Sequence, residues 1–253
     1  MKNMYKLIVE LLRIYRSFSF YFFSRYLYYL IKKINIVILD KSLLVVDKEI
    51  HKKIKGVVNV KYHGQKLIYT TDMISLIREV LLKNCYFFDV RQRYSTVIDL
   101  GANLGVFSLI ASMCSDNVIS VECNKKSFKK HFDSVMELNN VQNVLLVNKF
   151  ASNILNEFNI NINSIIKDNS LKQISFIKID IEGSESELFN SNLEWLKITD
   201  SIGMEIHPCF NVDTNKICDI LKISGFKVNC YDVEMKKIPD FSMVKMGYLI
   251  AAK

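Results

Sequence analysis

The stretch from Val97 to Glu122 constrains this chain more than any other. A short apolar run (Val97, Ile98, Leu100) ends at Gly101, and a second glycine, Gly105, follows as the pattern turns helical from Leu104 to Met113. A second apolar run, Val118 to Val121, then stops on an acid, Glu122. Strand, glycine turn, helix and strand in that order predict a βαβ unit. Its turn lies at the carboxyl end of the first strand, where open α/β sheets hold nucleotide-like ligands. Glycine permits positive φ and a close backbone approach there.

The turn reads Gly101-x-Asn103-x-Gly105. It lacks the third glycine of the dinucleotide pattern, whose amides face a pyrophosphate. Asp99 just before the turn would repel a phosphate and suits an ammonium group. Glu122 is placed to accept hydrogen bonds from a ribose diol, each charge-assisted bond contributing roughly 1.5–3 kcal/mol. An ammonium, a ribose and no phosphate describe S-adenosylmethionine, which is the expected cofactor, with Asp99, Gly101, Asn103, Gly105 and Glu122 around it.

Two blocks carry a family resemblance. Asp99-Leu-Gly-Ala-Asn-Leu-Gly-Val-Phe-Ser108 and Ile177-Lys-Ile-Asp-Ile-Glu-Gly-Ser-Glu185, with Leu138-Asn-Asn-Val-Gln-Asn-Val144 between them, resemble the FkbM family of S-adenosylmethionine-dependent methyltransferases. The resemblance covers roughly Glu79 to Trp195. It implies an O-methyltransferase whose acceptor is a small molecule or glycan, with surface-polysaccharide sugars and natural products as the usual substrate classes. Two departures stand out. Glu122-Cys123 replaces the family's Glu-Pro, so Cys123 is expected to line the adenine pocket. Ile162-Asn163 replaces Leu-Asp, after a short asparagine-rich segment. Ala151, beyond the third strand, is also counted among the cofactor-binding residues.

Strands alternate with helices from Val97 onward, which predicts a mostly parallel sheet. The last two strands, 226–231 and 246–251, have no helix between them and are expected to pair as an antiparallel hairpin. The expected fold is α/β: a class I (Rossmann-like) methyltransferase sheet of seven strands over residues 96–253, with an N-terminal extension over residues 1–95. In that extension the spacing predicts a basic amphipathic helix, a hairpin with its turn at His63-Gly64, and a helix from Asp72 to Lys83.

The net charge of +8 is uneven, with seven Lys/Arg against one Glu in residues 1–35, and sixteen against nineteen acids in residues 96–253. The basic, aromatic N-terminus therefore predicts peripheral contact of residues 2–33 with an anionic membrane, or packing on the domain or a homo-oligomer interface. Its longest uncharged run, Ser17 to Ser24, is too short to span a bilayer, which takes about 20 residues. The six cysteines form no CxxC or metal-like spacing, which places the chain in a reducing, cytoplasmic setting.

Methyl transfer needs in-line placement of the acceptor and removal of its proton. Two clusters at predicted strand ends qualify. Asp180 and Glu182 follow the fourth strand, and Glu205 and His207 the fifth; Asp180, Glu182 and His207 are the catalytic candidates. His207 has the pKa range of a base near neutrality, with Glu205 placed to orient it. Ser184-x-x-Glu187 reads as a capping box, which makes Glu187 a cap and leaves Glu185 open. No metal is expected. Nor is a nucleic-acid substrate, since Asp180-Ile-Glu-Gly would repel a phosphate backbone; a non-catalytic cofactor-binding scaffold remains the alternative.

Overall fold

The computed structural model describes residues 2–40, 42–123, 126–190 and 192–253. It divides into two compact units, Met1–Asn84 with Glu137–Asn140, and Cys85–Met136 with Val141–Lys253. The expectation for the boundary was 95/96. The division falls earlier because Tyr86 and Phe88 are buried with the sheet: the Phe88 ring lies 4.6 Å from Tyr94, 5.1 Å from Phe107 and 5.0 Å from Phe176.

In the first unit the chain forms helices α1 (Lys2–Ser17), α2 (Phe20–Lys32), α3 (Ile34–Asp40) and α4 (Leu44–Lys53). An antiparallel hairpin of β1 (Val57–Tyr62) and β2 (Gln65–Thr70) follows, then the short helix α5 (Ile74–Ile77), which runs on into a π-helical turn, Arg78–Leu82. The expected single N-terminal helix is broken at Phe18–Ser19. Ser19 starts a new helix as its N-cap, its hydroxyl accepting the Phe22 N–H at 3.2 Å, and Phe18 bridges to Val60 of β1. Ile14, Phe18, Phe22, Tyr26 and Leu30, at four-residue spacing, form the buried face. Beneath it Tyr26 donates to the buried Asp47 carboxylate at 2.7 Å, and Arg78 pairs with both Asp47 and Glu10. The Asn139 side chain accepts from and donates to the Ile68 backbone at 2.8 and 2.7 Å, which ties Glu137–Asn140 to this unit.

The second unit is a doubly wound α/β domain. Its strands are β3 (Tyr94–Leu100), β4 (Ser115–Val121), β5 (Val144–Val147), β8 (Phe176–Ile179), β9 (Ser201–Ile206), β10 (Lys227–Asp232), β11 (Lys237–Ile238) and β12 (Gly247–Ala252). The helices α6 (Val106–Ser112), α7 (Lys126–Leu138), α8 (Ile162–Asp168), α9 (Glu185–Phe189) and α10 (Thr214–Ile223) connect them, and β6 (Phe150–Ala151) and β7 (Asn159–Ile160) make a small separate pair. The sheet order is β11-β10-β12-β9-β8-β3-β4-β5. Strands β5, β4, β3, β8 and β9 run parallel, and β12 lies between β9 and β10, antiparallel to both. The sheet therefore has eight strands rather than seven, because the two-residue β11 adds to the β10 edge.

The expected helix from Glu185 to Leu196 is shorter. It stops at Phe189, and a separate 3-10 turn, Glu194–Ile198, begins where Asn192 accepts the Glu194 N–H at 2.9 Å. Strands β3, β8 and β9 are almost wholly buried, as befits strands covered on both faces. Ile98, Leu100, Ile177, Ile179, Ile202, Met204 and Trp195 share the core on which the site rests.

Candidate active site

The turn after β3 is shaped by packing. Gly101 has φ +77°, and a Cβ there would lie 1.7 Å from the Asp180 carbonyl oxygen, so only glycine lets the turn touch the end of β8. Gly105, at φ +85°, leaves room for Phe132 and Met136 of α7. Asn103 between them is also left-handed, at φ +50°, and its N–H donates to Glu122 Oε2 at 2.7 Å. Glu122 thus anchors the turn at the end of β4, and a shallow pocket beside it is lined by Asn103, Phe128, Phe132, Leu146 and Asn148. A carboxylate for a diol, aromatic rings for a base and amides for its edge fit the nucleoside end of S-adenosylmethionine. Lys129 also borders the pocket, but its ammonium is paired with Asp133 at 2.8 Å.

Asp99 has a different role from the one expected of it. It is fully buried, accepts from Ser108 at 2.6 Å and pairs with Lys178 Nζ at 3.1 Å, so it cannot present itself to a ligand's ammonium. Cys123 is exposed next to Glu122, its thiol 3.5 Å from Oε1. Burial and the neighbouring carboxylate push the thiol up to about 11. Ala151 is half-buried in β6, which pairs with β7. Asn163, the second residue of α8, donates to the Asn192 carbonyl at 2.8 Å, which accounts for it structurally.

At the ends of β8 and β9 a connected set of charges runs outward from Asp99. Lys178, itself buried, donates to the Gly101 carbonyl at 2.6 Å and lies 3.6 Å from Asp180. Burial alone would lower its pKa, but Asp99 and Asp180 outweigh burial and raise it, so the amine stays charged. The buried Tyr86 hydroxyl, held protonated by burial and the adjacent Asp180, donates to Asp180 at 2.9 Å and lies 3.4 Å from Glu205. Glu205 Oε1 is 3.3 Å from His207 Nε2, and Glu185 Oε1 is 2.9 Å from His207 Nδ1. Glu182 Oε2 stands 3.6 Å from the same Nε2.

Asp180, Glu182 and His207 are therefore brought together, as their positions at two adjacent strand ends require. Hydrogen bonds donated to Glu185 and Glu205 raise the imidazole to about 10, so His207 is an imidazolium at neutral pH and not the free base its ordinary range suggested. Glu182 sits at φ +53° followed by Gly183 at φ +99°, a left-handed pair that turns the Glu182 side chain outward, 79% exposed. A Cβ on Gly183 would strike Phe210, whose ring stacks on His207 at 5.7 Å.

Three members of this set were not legible as site residues. Tyr86 belongs to neither motif block. Lys178 alternates with Asp180 along the strand, which places the two on one face but names no partner for either. Glu185 stands inside a Ser184-x-x-Glu187 capping-box pattern that does not form, since Ser184 makes no side-chain cap bond. The one signal for Glu185 was its position in the block Asp180–Glu185 opposite a histidine on the next strand.

The strand order, with an antiparallel β12 inserted next to the parallel strands, is that of the class I methyltransferase fold. Residues 121–228 match the family model for the methyltransferase FkbM domain. The match begins at the end of β4, so the Asp99–Ser108 block precedes it. Similar solved structures include a precorrin-6y C5,15-methyltransferase from Geobacter metallireducens GS-15, 16% identical over 68% of this chain and 84% of that one, with a TM-score of 0.43. A Streptococcus mutans protein solved in complex with SAH is 10% identical over 68% and 97% of the two chains, with a TM-score of 0.49. Methyltransferase FkbM from Methylobacillus flagellatus KT is 14% identical over 64% of this chain and 44% of that one, with a TM-score of 0.45. No match was found among curated proteins.

Proposed function

We propose that this chain is an O-methyltransferase that acts on a hydroxyl of a sugar, glycan or other small molecule. One observation carries the reading: the turn that borders the nucleoside pocket touches the acid block, Gly101 lying against the Asp180 carbonyl with room for no side chain between them. S-adenosylmethionine, when bound, supplies an electrophilic methyl group on a sulfonium. The chain's own task is then to hold an acceptor oxygen in line and take its proton. Asp180, fixed by Tyr86 and partly open, accepts the hydroxyl's hydrogen bond and orients it. Glu182, turned outward and solvated, receives the proton and passes it to water. His207, held charged between Glu185 and Glu205, positions these carboxylates.

The acid-rich mouth favours a neutral polyol over a polyanion, and this supports a sugar hydroxyl over a nucleic-acid backbone. A basic, aromatic surface in the first unit supports a lipid-linked acceptor at the cytoplasmic face of an anionic membrane. Tyr5, Ile8, Leu12 and Tyr15 form an exposed stripe on α1, and Phe20, Tyr21, Tyr28 and Ile31 are exposed on α2. Arg13 and Arg16 are exposed on α1, and Lys32 Nζ lies 4.4 Å from the Tyr28 ring centroid. No helix among the described residues is long and apolar enough to cross a membrane, so the fitting mode is interfacial. Free cysteines throughout the described residues agree with a reducing compartment.

The test is calorimetric binding of S-adenosylhomocysteine to wild type and Glu122→Ala, followed by methyl transfer to sugar, lipid-linked sugar and RNA acceptors. The expected result is binding weakened at least tenfold by the substitution, about 1.4 kcal/mol, with turnover on a hydroxyl acceptor that Glu182→Gln removes. Turnover on RNA alone would overturn the acceptor class. Cofactor binding without turnover on any acceptor would leave a scaffold. Sedimentation with phosphatidylglycerol vesicles but not phosphatidylcholine vesicles is expected, and its absence would remove the membrane part.

A further inference from the structure

We propose that Asp180, Glu205 and His207 form a divalent-cation site at the carboxyl ends of β8 and β9. One ligand atom from each residue lies within 4.8 Å of the other two, and two of the three side chains are buried. The histidine is set up for this role. Its Nδ1 is engaged at 2.9 Å by Glu185, which is wholly buried, so Nε2 is the nitrogen that faces Glu205, at 3.3 Å. A carboxylate on the far ring nitrogen is the arrangement that fixes tautomer and orientation in metal-binding histidines. The carboxylates are held likewise, since the Tyr86 hydroxyl lies 2.9 Å from Asp180 Oδ2 and 3.4 Å from Glu205 Oε2.

Charge supplies an independent argument. Lys178 is the one buried ammonium near the cluster among the described residues, and it is shared between Asp99 at 3.1 Å and Asp180 at 3.6 Å. Asp180, Glu205 and Glu185 then meet around a single imidazole, and Glu185 Oε2, fully buried, has no hydrogen-bond partner. Four carboxylates, Asp99, Asp180, Glu185 and Glu205, three of them buried, thus share one ammonium and one imidazole, an excess that calls for a cation. Two carboxylate oxygens and one imidazole nitrogen suit Mn²⁺ or Zn²⁺ better than an all-oxygen ion such as Ca²⁺. An ion there displaces the proton from Nε2 and leaves Nδ1–H on Glu185. Its role, which rests on the O-methyl reading, is to bind the acceptor hydroxyl and lower its pKa. Glu182, a carboxylate and a weak base for an alcohol, gains most from that help. Binding of the ion itself does not depend on that reading.

The experiment is calorimetric titration of the full chain with Mn²⁺ and with Zn²⁺, beside titration with S-adenosylhomocysteine. The expected result is one ion per chain, weakened at least tenfold by Glu205→Gln and by His207→Gln, with S-adenosylhomocysteine binding changed less than threefold. No binding of either ion by wild type at millimolar concentration would overturn the site. So would equal binding in both variants, which would mark an incidental acidic surface. Should the variants lose S-adenosylhomocysteine binding through misfolding, Co²⁺ absorption and Mn²⁺ paramagnetic resonance on wild type decide. Histidine-nitrogen coupling supports the proposal, and an all-oxygen signature ends it. Ion binding by a wild type that ignores S-adenosylhomocysteine would count against the methyl-transfer reading and leave the site standing.

Discussion

In the first unit Arg78 joins Asp47 to Glu10, and the Tyr26 hydroxyl closes on Asp47. In the second unit Lys178 joins Asp99 to Asp180, and the Tyr86 hydroxyl closes on Asp180. The parts are the same, a cation between two acids with a tyrosine donor, but the continuations differ. The Arg78 set ends at Glu10, which is partly solvated. The Lys178 set continues through Tyr86 to Glu205, His207 and Glu185, where acids outnumber cations, and it opens outward at Asp180 and Glu182. A short network whose surplus acid, Glu10, lies in solvent specifies packing. An unbalanced one at the ends of parallel strands is available for chemistry, because its excess charge is met only when something binds.

The contrast can be broken in several places. The largest expected effect is at Lys178. Replacing it with Met leaves Asp99 buried with Ser108 as its donor, and urea unfolding should show a loss of about 3–5 kcal/mol. A loss below about 1 kcal/mol would contradict the Lys178–Asp99 pairing described above. Arg78→Met should cost slightly less, about 3 kcal/mol, since its side chain keeps some solvent. Here the comparison sharpens. Adding Asp47→Leu should recover most of that loss, because a closed ion pair can be replaced by apolar packing. No such rescue is expected to preserve methyl transfer when Asp99→Leu accompanies Lys178→Met.

Next in size is the Cys123 thiol. Raised from 9.0 to about 11, it should be alkylated by iodoacetamide at pH 8 roughly 100-fold more slowly than an unperturbed cysteine. Peptide mapping should show the rate climbing as pH rises towards 11 and increasing in Glu122→Gln. Fast labelling at pH 8 would contradict the thiol–carboxylate contact. The smallest effect is Tyr86→Phe, which removes one hydroxyl and should cost about 1–1.5 kcal/mol of stability. As a positioning residue it should lower kcat several-fold with the KM for S-adenosylmethionine nearly unchanged. A change in KM alone would place Tyr86 in cofactor binding instead.

Local patterns along the chain determined much of this protein. The βαβ unit around Gly101 and Gly105, the alternation of strands and helices, the His63-Gly64 hairpin and the two motif blocks all follow from periodicity and from glycine's tolerance of positive φ, which act over a few residues. The same local logic placed Asp180, Glu182 and His207 at adjacent strand ends. It did not find β11, because two residues carry no period. It also missed the break at Ser19, since a serine amid aromatic residues reads as part of a helical stripe until it caps. What only the tertiary structure decided is which side chains meet. Asp99 precedes a ligand turn in sequence yet spends its charge on Lys178, from a strand paired with its own in parallel. Glu185, at the head of a helix, orients His207 instead of capping, and Tyr86 reaches the acid block from outside both motifs. Each of these partnerships spans 22 residues or more, from Glu185–His207 at 22 to Tyr86–Asp180 at 94. Over such distances the partner is chosen by sheet register and burial, and neither is written in the neighbourhood of the residue itself.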